Sequence, residues 1–400
     1  MAAVTDRRRE TVAVVTDRRR GRWLWLQTAG IFSKKVVIIA LKAVCDRLYF
    51  PKGSIIMAKR ISRSTFIIDN PPSVHSYAAV VGKKEGEGPL GKYFDKVCED
   101  AYFGQKTWEQ AESELVRITL KKALEKGNLS EKDINYLFAG DLINQCTSTS
   151  YGLRDFGIPL LCVYGACSTM SETLLLSSLM TDSNIGGYVA AVTSSHFCSA
   201  ERQFRFPLSY GGVRTPTAQW TCTASGCCIV KPHSNAPYIK AATIGKIVDL
   251  GVTDANNMGA AMAPAAAHVI KTHLEDTKKS PEDFDLIVTG DLGRVGGTLL
   301  IELLAKEGIS IEKNYKDCGT MIFDYEKQDV HVGGSGCGCS ASVLCGYLLG
   351  KVKSGEYKNI LFCATGALMS TTITQQGESI PSISHAVHIS SDGDIEKGWK

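Results

Sequence analysis

The sequence predicts a duplicated α/β fold, in which two equivalent halves each alternate strands with helices. The segments Ser130–Leu142 and Ser280–Leu292 repeat one pattern at an offset of 150 residues without a gap, and both close on Gly-Asp-Leu. Two glycine-led segments, Gly165–Met170 and Gly336–Ser340, each open a helical pattern. Strands and helices that alternate in two matched halves are typical of a duplicated α/β architecture with parallel sheets.

The elements around the repeat follow from its hydrophobic periodicity. An amphipathic helical pattern precedes each copy, at Glu112–Lys126 and at Ala265–Asp276. The apolar run that ends in Gly-Asp fits a buried parallel strand, and further strands are predicted at Tyr188–Thr193 and Asn359–Thr365. Because ligands bind at the carboxyl ends of such strands, we expect the functional cleft where the two halves meet.

Composition separates an N-terminal extension from the two halves. Residues 1–56 carry twelve Lys/Arg against four Asp/Glu and repeat the sequence Val-Thr-Asp-Arg-Arg-Arg, whereas the remaining 344 residues have a net charge of −4. A mildly acidic body argues against a general nucleic-acid binder. We therefore predict an extension at 1–56 with Met57 as the native start, an N-terminal half at 57–235 and a C-terminal half at 236–400. No membrane-spanning helix is predicted.

Cys167 is the strongest candidate nucleophile among the fourteen cysteines. It follows the apolar strand-like segment 159–164 and a Gly-Ala turn, at the predicted first turn of a helix. Free amides and the helix dipole at such a position favour a thiolate, so we expect a lowered thiol pKa and a site that stabilises an oxyanion. The alternative is that Cys167 packs as a small apolar side chain, as most buried cysteines do.

Several motifs spread over residues 57–400 are similar to those of a known family. The most specific are Tyr164-Gly-Ala-Cys-Ser-Thr169, Ala200-Glu-Arg-Gln-Phe-Arg205 and Gly333-Gly-Ser-Gly-Cys337. With them the chain resembles the thiolase superfamily, which includes thiolases and ketoacyl-ACP synthase III. Within that superfamily it is most similar to the stage V sporulation protein AD (SpoVAD) family. The resemblance implies a thiolase-like fold of two βαβαβαββ halves, packed as an αβαβα sandwich.

The resemblance also identifies the groups that a condensing enzyme needs beside its cysteine. The synthase III branch places a His, in a His-Gln-Ala-Asn stretch that opens a helix of the second half, and an Asn near the thiol. In this sequence the corresponding positions are interpreted as Pro264 and Ser335, which supply no base. We therefore expect a thiolase fold that keeps the nucleophile position and has lost catalysis.

Two histidines remain as alternative acid/base groups. His196 follows a buried strand in Thr-Ser-Ser-His, and His385 lies in a C-terminal strand that superfamily folds bring to the cleft. Each is predicted to be a cleft residue near Cys167 or, alternatively, a hydrogen-bonded structural histidine. An active acyltransferase or ketoacyl synthase-like enzyme would use Cys167 with one of them.

Four residues are predicted to bind a ligand. Arg202 and Arg205 flank an aromatic residue and could hold carboxylates in two-pronged geometry, unless they tie a loop to a partner subunit. Ser335 and Gly336 belong to the glycine-rich loop that passes the cleft. The cysteine pairs lack zinc-ligand spacing, and Gly86–Lys92 lacks the Ser/Thr of a phosphate-binding loop, so neither a metal nor a cofactor is predicted.

The function implied by the resemblance is ligand binding during sporulation. SpoVAD-like proteins belong to the SpoVA set, so we expect binding of dipicolinic acid or its calcium chelate, uptake into the developing spore and release at germination. The expected location is peripheral, on the inner spore membrane, in association with other SpoVA membrane proteins. A homodimer is expected, because superfamily members dimerise. A third interpretation is a structural scaffold of the SpoVA membrane complex.

Overall fold

A computed structural model of the chain describes residues 58–204 and 214–394, together with the backbone of two short strands near the N-terminus. Those strands, Ala13–Asp17 and Arg22–Leu26, pair antiparallel in a first compact unit, residues 1–56. The second compact unit comprises residues 57–400.

The second unit contains two five-stranded arrangements with the same strand order. The first half contributes β1 (Ser73–Gly82), β2 (Tyr136–Gly140), β3 (Leu160–Cys162), β4 (Val189–Ser195) and β5 (Ala224–Lys231). The second half contributes β6 (Tyr238–Thr243), β7 (Leu286–Thr289), β8 (Tyr315–Asp317), β9 (Asn359–Ala367) and β10 (Ser382–Ser390). In space they run β3-β2-β4-β5-β1 and β8-β7-β9-β10-β6, and a single residue pair, Ser73 with Tyr238, connects β1 to β6. The identical order confirms the predicted duplication.

The sheets are mixed, whereas the sequence predicted parallel ones. Strands β2, β3 and β4 pair in parallel, as do β7, β8 and β9, but the last strand of each half is antiparallel to both of its neighbours. A parallel strand needs a crossover that carries the chain back along the sheet. The first residues of β5 and β10 pair with the last residues of β4 and β9, so each chain re-enters the sheet at the edge that it left and runs in the opposite direction.

The helices form three layers around the two sheets. They are α1 (Trp108–Gly127), α2 (Thr147–Leu153), α3 (Thr169–Asp182), α4 (Phe197–Phe204), α5 (Met258–Thr277), α6 (Gly293–Lys306) and α7 (Cys337–Val343), which continues through Leu344–Leu348 into Leu349–Lys353. Short helices lie at Lys83–Gly86, Cys318–Met321 and Thr371–Gln375. Apolar residues of α3 and α7 pack between the sheets, those of α1 cover the first sheet, and those of α5 and α6 cover the second. The result is an αβαβα sandwich.

The duplication extends to individual hydrogen bonds. Ser130 and Ser280 each begin a short 3₁₀ turn, and the carboxylates of Asp133 and Asp283 each accept a hydrogen bond of 2.7 Å from the backbone N–H of that serine. Such a capping box satisfies the free amides that start a turn. The same four-residue device therefore leads the chain into β2 and into β7.

Candidate active site

Cys167 lies at the start of the helix in the middle layer. A 3₁₀ turn, Ala166–Ser168, joins the segment after β3 to α3, and Ala166 has a positive φ of 49°. A left-handed conformation at a non-glycine residue is uncommon and typical of functional turns. The turn packs against β9, where a Cβ added to Gly366 would lie 2.0 Å from the carbonyl oxygen of Gly165. Glycine at 366 therefore allows the nucleophile turn to approach β9.

The Cys167 side chain, which is 8% exposed, forms part of the wall of a cavity of about 80 Å³ between the two halves. The polar residues of the wall are Glu201, Gln219, Thr221, Asn256 and Ser335, and the apolar ones are Leu142, Ala166, Ala200, Phe204, Ala255, Met258, Met262, Ala367 and Met369. Mostly apolar walls with a few polar groups are typical of sites for small organic ligands. The position of the cavity agrees with the cleft predicted from the strand order.

Asp291 is the acidic group beside the Cys167 thiol. It directly follows β7 in the second Gly-Asp-Leu segment and is fully buried. Its Oδ2 accepts hydrogen bonds from the Gly336 N–H (2.8 Å) and from the Ser335 hydroxyl (3.2 Å). The thiol of Cys167 interacts with the same carboxyl group. Asp291 thus lies directly behind two residues of the cavity wall, Cys167 and Ser335.

The two Gly-Asp-Leu segments use their aspartates differently. In the first half Asp141 binds its own loop, accepting hydrogen bonds from the N–H groups of Ile143 and Thr149. In the second half Asp317, at the end of β8, accepts hydrogen bonds from the N–H groups that follow Asp291. Because Asp317 satisfies this loop, Asp291 is available to face Cys167. The sequence repeat marked both aspartates, but their different partners follow only from the fold.

The electrostatics of the site differ from the sequence prediction. The pKa of Cys167 is raised well above its usual value, first by burial and then by the Asp291 carboxyl, while the Gly336 N–H acts in the opposite direction. The predicted lowering by the helix start is therefore wrong, because desolvation and a neighbouring carboxylate both disfavour a thiolate. Burial raises the pKa of Asp291 to about 7. At neutral pH the thiol is protonated and the carboxyl is partly protonated.

The structure also corrects the assignment of Pro264 as the residue in the position of the catalytic histidine. Pro264 lies inside α5, which begins at Met258, so it does not open a helix, and it is not part of the cavity wall. Asp291, two residues before the first residue of α6, lies beside Cys167 instead, so the neighbour of the thiol from the second half is an aspartate and not Pro264.

Neither of the two candidate histidines lies in the described cavity wall. The Nε2–H group of His196 donates to the carbonyl of Ala101 (2.8 Å), and its Nδ1 accepts from the N–H of Cys198 (3.2 Å). His385 accepts a hydrogen bond from the N–H of Gly245 (3.2 Å). Burial lowers the pKa of both and brings that of His385 to about 4, so both are neutral at pH 7. Their catalytic roles stay predictions.

The four predicted ligand-binding residues are divided between the cavity and the surface. Ser335 is in the cavity wall, and Gly336, with a φ of 98°, turns its N–H to Asp291. Arg202 instead pairs with Glu109 and lies over the ring of Trp108, with half of its side chain exposed. Arg205 lies outside the described residues, directly after the cavity residue Phe204. Arg202 therefore does not contribute to the predicted two-arginine site, because it pairs with Glu109 and is not in the cavity wall.

Sequence comparison assigns the chain to a family. A profile of the family described as Stage V sporulation protein AD (SpoVAD) matches residues 62–390. The Stage V sporulation protein AD of Bacillus subtilis (strain 168) is 42% identical over 329 residues, which cover 82% of this chain and 97% of that protein. The chain belongs to the SpoVAD family. It is therefore a sporulation protein with a thiolase-like fold.

Solved structures that share the fold include two of OleA from Xanthomonas campestris. Cerulenin-bound OleA has a TM-score of 0.51 at 15% identity and covers 83% of this chain and 99% of its own. Acetamide-bound OleA has a TM-score of 0.52 at 12% identity, with coverages of 80% and 99%. At such identities the similarity shows the fold alone. Across the described part of the SpoVAD-family chain, no helix is long and apolar enough to cross a membrane.

Proposed function

We propose that the protein binds dipicolinic acid in the cavity at Cys167, alone or as its calcium chelate, and so supports uptake into the developing spore and release at germination. This proposal rests on membership of the SpoVAD family, because the resemblance of the chain to that family implies dipicolinic acid as the ligand. The protein would act as a peripheral subunit at the inner spore membrane, as a homodimer in contact with SpoVA membrane proteins.

The cavity has the chemistry for a flat ring with polar substituents. Phe204, Met258 and Met369 supply apolar and polarizable surface for the ring. The amide of Asn256 supplies a hydrogen-bond donor for a carboxylate, and the Ser335 hydroxyl supplies another when it turns from Asp291 to the ligand. Arg205 remains the predicted cationic partner, because it follows Phe204 directly in the sequence.

The groups around Cys167 favour binding over catalysis. A nucleophilic cysteine needs a neighbour that accepts the thiol proton or stabilises the thiolate. Asp291 does the reverse, because an ionised carboxylate next to the thiol raises the thiol pKa. We propose that the chain is not an acyltransferase. The alternative, an acyltransferase with Cys167 and His196 or His385, predicts a covalent acyl group on Cys167 after incubation with acyl-CoA, which we do not expect.

Calorimetric titration of the full chain with dipicolinate tests the proposal, with pyridine-2-carboxylate as the ligand that lacks one carboxylate. We expect saturable binding of dipicolinate that weakens at least tenfold for the control ligand. Ser335→Ala should weaken binding, whereas Ser354→Ala, at an exposed serine that hydrogen-bonds Lys351, should not. No binding heat from folded protein would refute the proposal.

The two arginines provide a second comparison within the same assay. Arg202 pairs with Glu109 at the surface, and exposed ion pairs contribute little. We therefore expect Arg205→Ala to weaken dipicolinate binding more than Arg202→Ala does. Equal losses would show that Arg202 leaves Glu109 to bind the ligand. If instead all cavity variants bound normally while assembly with membrane partners failed, the scaffold interpretation would replace ligand binding.

A further inference from the structure

A second cavity, of about 600 Å³, lies at the outer edge of the second sheet. Its wall is formed mainly by the first turns of α6, by the edge strand β8 and by the short helix Cys318–Met321. This wall shares no residue with the wall of the cavity at Cys167. A cavity of this size is typical of sites that hold small organic ligands.

Two cations line the second cavity. Arg294, in the first turn of α6, and Lys316, in β8, are both exposed. The Arg294 guanidinium lies over the ring of Tyr325, 5.3 Å from its centre, and neither Arg294 nor Lys316 forms an ion pair with any residue that the structure describes. Two like charges on one cavity repel each other, and a bound anion with two negative charges would neutralise both.

Asp317 is the acidic residue of the described wall, and its carboxylate is already used. The side chain is buried, and the carboxylate accepts hydrogen bonds from the Thr289 hydroxyl (2.7 Å) and from the two N–H groups at the start of α6 (2.8 and 3.0 Å). Asp317 therefore holds the loop between β7 and α6 and does not pair with Arg294 or Lys316. Because Asp317 also occupies the amides at the start of α6, a ligand in the cavity would be held by the two cationic side chains.

The wall also offers apolar surface, which comes from Leu90, Met321 and Tyr347 among others. Leu90 belongs to the glycine-rich segment whose spacing imitates a phosphate-binding loop. A Cβ added to Gly88 of that segment would lie 2.0 Å from the carbonyl oxygen of Ile322. Glycine at 88 thus lets the segment pack closely against the residue after Met321, and close packing positions this side of the cavity.

We propose that this second cavity binds an organic dianion, in which a phosphate monoester or a pair of carboxylates is attached to an apolar ring. Arg294 and Lys316 hold the two negative charges, and Leu90, Met321 and Tyr347 contact the ring. A monoanion would leave one cation without a partner, and an inorganic ion would leave the apolar wall uncovered. The inference goes beyond dipicolinate binding at Cys167 and does not depend on it.

Calorimetric titration of the full chain with phenyl phosphate and with phthalate, at pH 8 and low salt, tests the inference. A phosphate monoester carries two charges at this pH, because its second pKa is about 6. Benzoate keeps the ring with one charge, and inorganic phosphate keeps the charge without the ring. We expect phenyl phosphate, phthalate or both to saturate one site, about tenfold more tightly than benzoate or inorganic phosphate.

Variants that remove one charge at a time assign the site. Arg294→Gln should weaken binding of the dianion about tenfold, because hydrogen bonds between charged partners are the strong ones. Lys316→Gln should weaken it about threefold, as expected for one exposed charge. Lys306→Gln, at an exposed lysine in the last turn of α6 and outside the wall, is the matched control and should bind normally. Raising the salt from about 0.01 M to about 1 M should weaken binding to the unmodified chain, since both cations are exposed.

Each outcome also separates this site from the cavity at Cys167. Dianion binding that is unchanged in both Arg294→Gln and Lys316→Gln would overturn the inference. Dianion binding that is lost in Ser335→Ala would overturn it as well, because the ligand would then lie in the cavity at Cys167. No saturable binding of either dianion would overturn the inference and leave the proposed function intact. Failure of dipicolinate alone to bind would refute the proposed function and leave this second site standing.

Discussion

Replacement of Asp291 by Asn should make Cys167 more reactive. Burial raises the pKa of the Cys167 thiol and the Asp291 carboxyl raises it further, whereas Asn keeps the size and an oxygen that accepts from Gly336. Two unit charges about 4 Å apart repel by about 4 kcal/mol at an effective dielectric constant of about 20. Since about 1.4 kcal/mol is a factor of ten, this repulsion is large enough for the thiolate fraction to rise about tenfold at pH 8, where Asp291, with a pKa of about 7, is mostly ionised.

Alkylation of Cys167 by iodoacetamide, followed by mass spectrometry of the Cys167 peptide across a pH series, measures this change. Cys162, which is exposed, is the internal control for reagent and pH. Glu201→Gln is the control variant, because it removes a carboxyl from the cavity wall without touching the interaction between Asp291 and the thiol. An unchanged or slower rate in Asp291→Asn would refute the electrostatic account of the site.

Two other properties follow from buried groups and close packing. Burial raises the pKa of Glu85 to about 7 and of Glu112 to about 8, so both are protonated in the folded chain where the unfolded chain is ionised. The stability that these protonated carboxyls contribute to the folded chain is complete at low pH and is lost as the pH rises. Below about pH 6.5 the buried His385, with a lowered pKa of about 4, acts in the opposite direction. Thermal unfolding should therefore show a loss of roughly 2 kcal/mol between pH 6.5 and 8, and a flat or rising profile over that range would contradict these buried carboxyls. Gly366→Ala should cost about 1–3 kcal/mol and weaken dipicolinate binding, because the added Cβ would lie 2.0 Å from a carbonyl oxygen of the Cys167 turn. Gly350→Ala, in the helix Leu349–Lys353 with its nearest atom 4.0 Å away, is the control and should leave stability unchanged or raise it in denaturant titrations.

The fold was predictable because it repeats. A pattern that recurs after 150 residues with the same capping serine and the same closing Gly-Asp-Leu fixes equivalent strands in both halves. Strand direction was harder to predict, since the antiparallel course of β5 and β10 depends on the edge of the sheet at which the chain re-enters it. Alternating apolar residues look alike in both directions.

The site was only partly predictable. Cys167 and Ser335 stand beside glycines that mark close approach, and both form part of the cavity wall. Asp291 was visible in the repeat, but Asp141 has the same local sequence and accepts its hydrogen bonds from its own loop. The difference arises from Asp317, a residue 26 positions later that satisfies the loop after Asp291. Such long-range hydrogen bonds leave no periodic signal in a sequence.

A crystal structure of the full chain with dipicolinate tests the central claim most directly, namely that this family uses the former catalytic cleft of a thiolase fold to bind a dicarboxylate. We predict the pyridine ring between Cys167 and the methionines Met258 and Met369, with one carboxylate at the Ser335 hydroxyl and no covalent bond to the thiol. Dipicolinate bound elsewhere on the protein, with this cavity empty, would contradict the account.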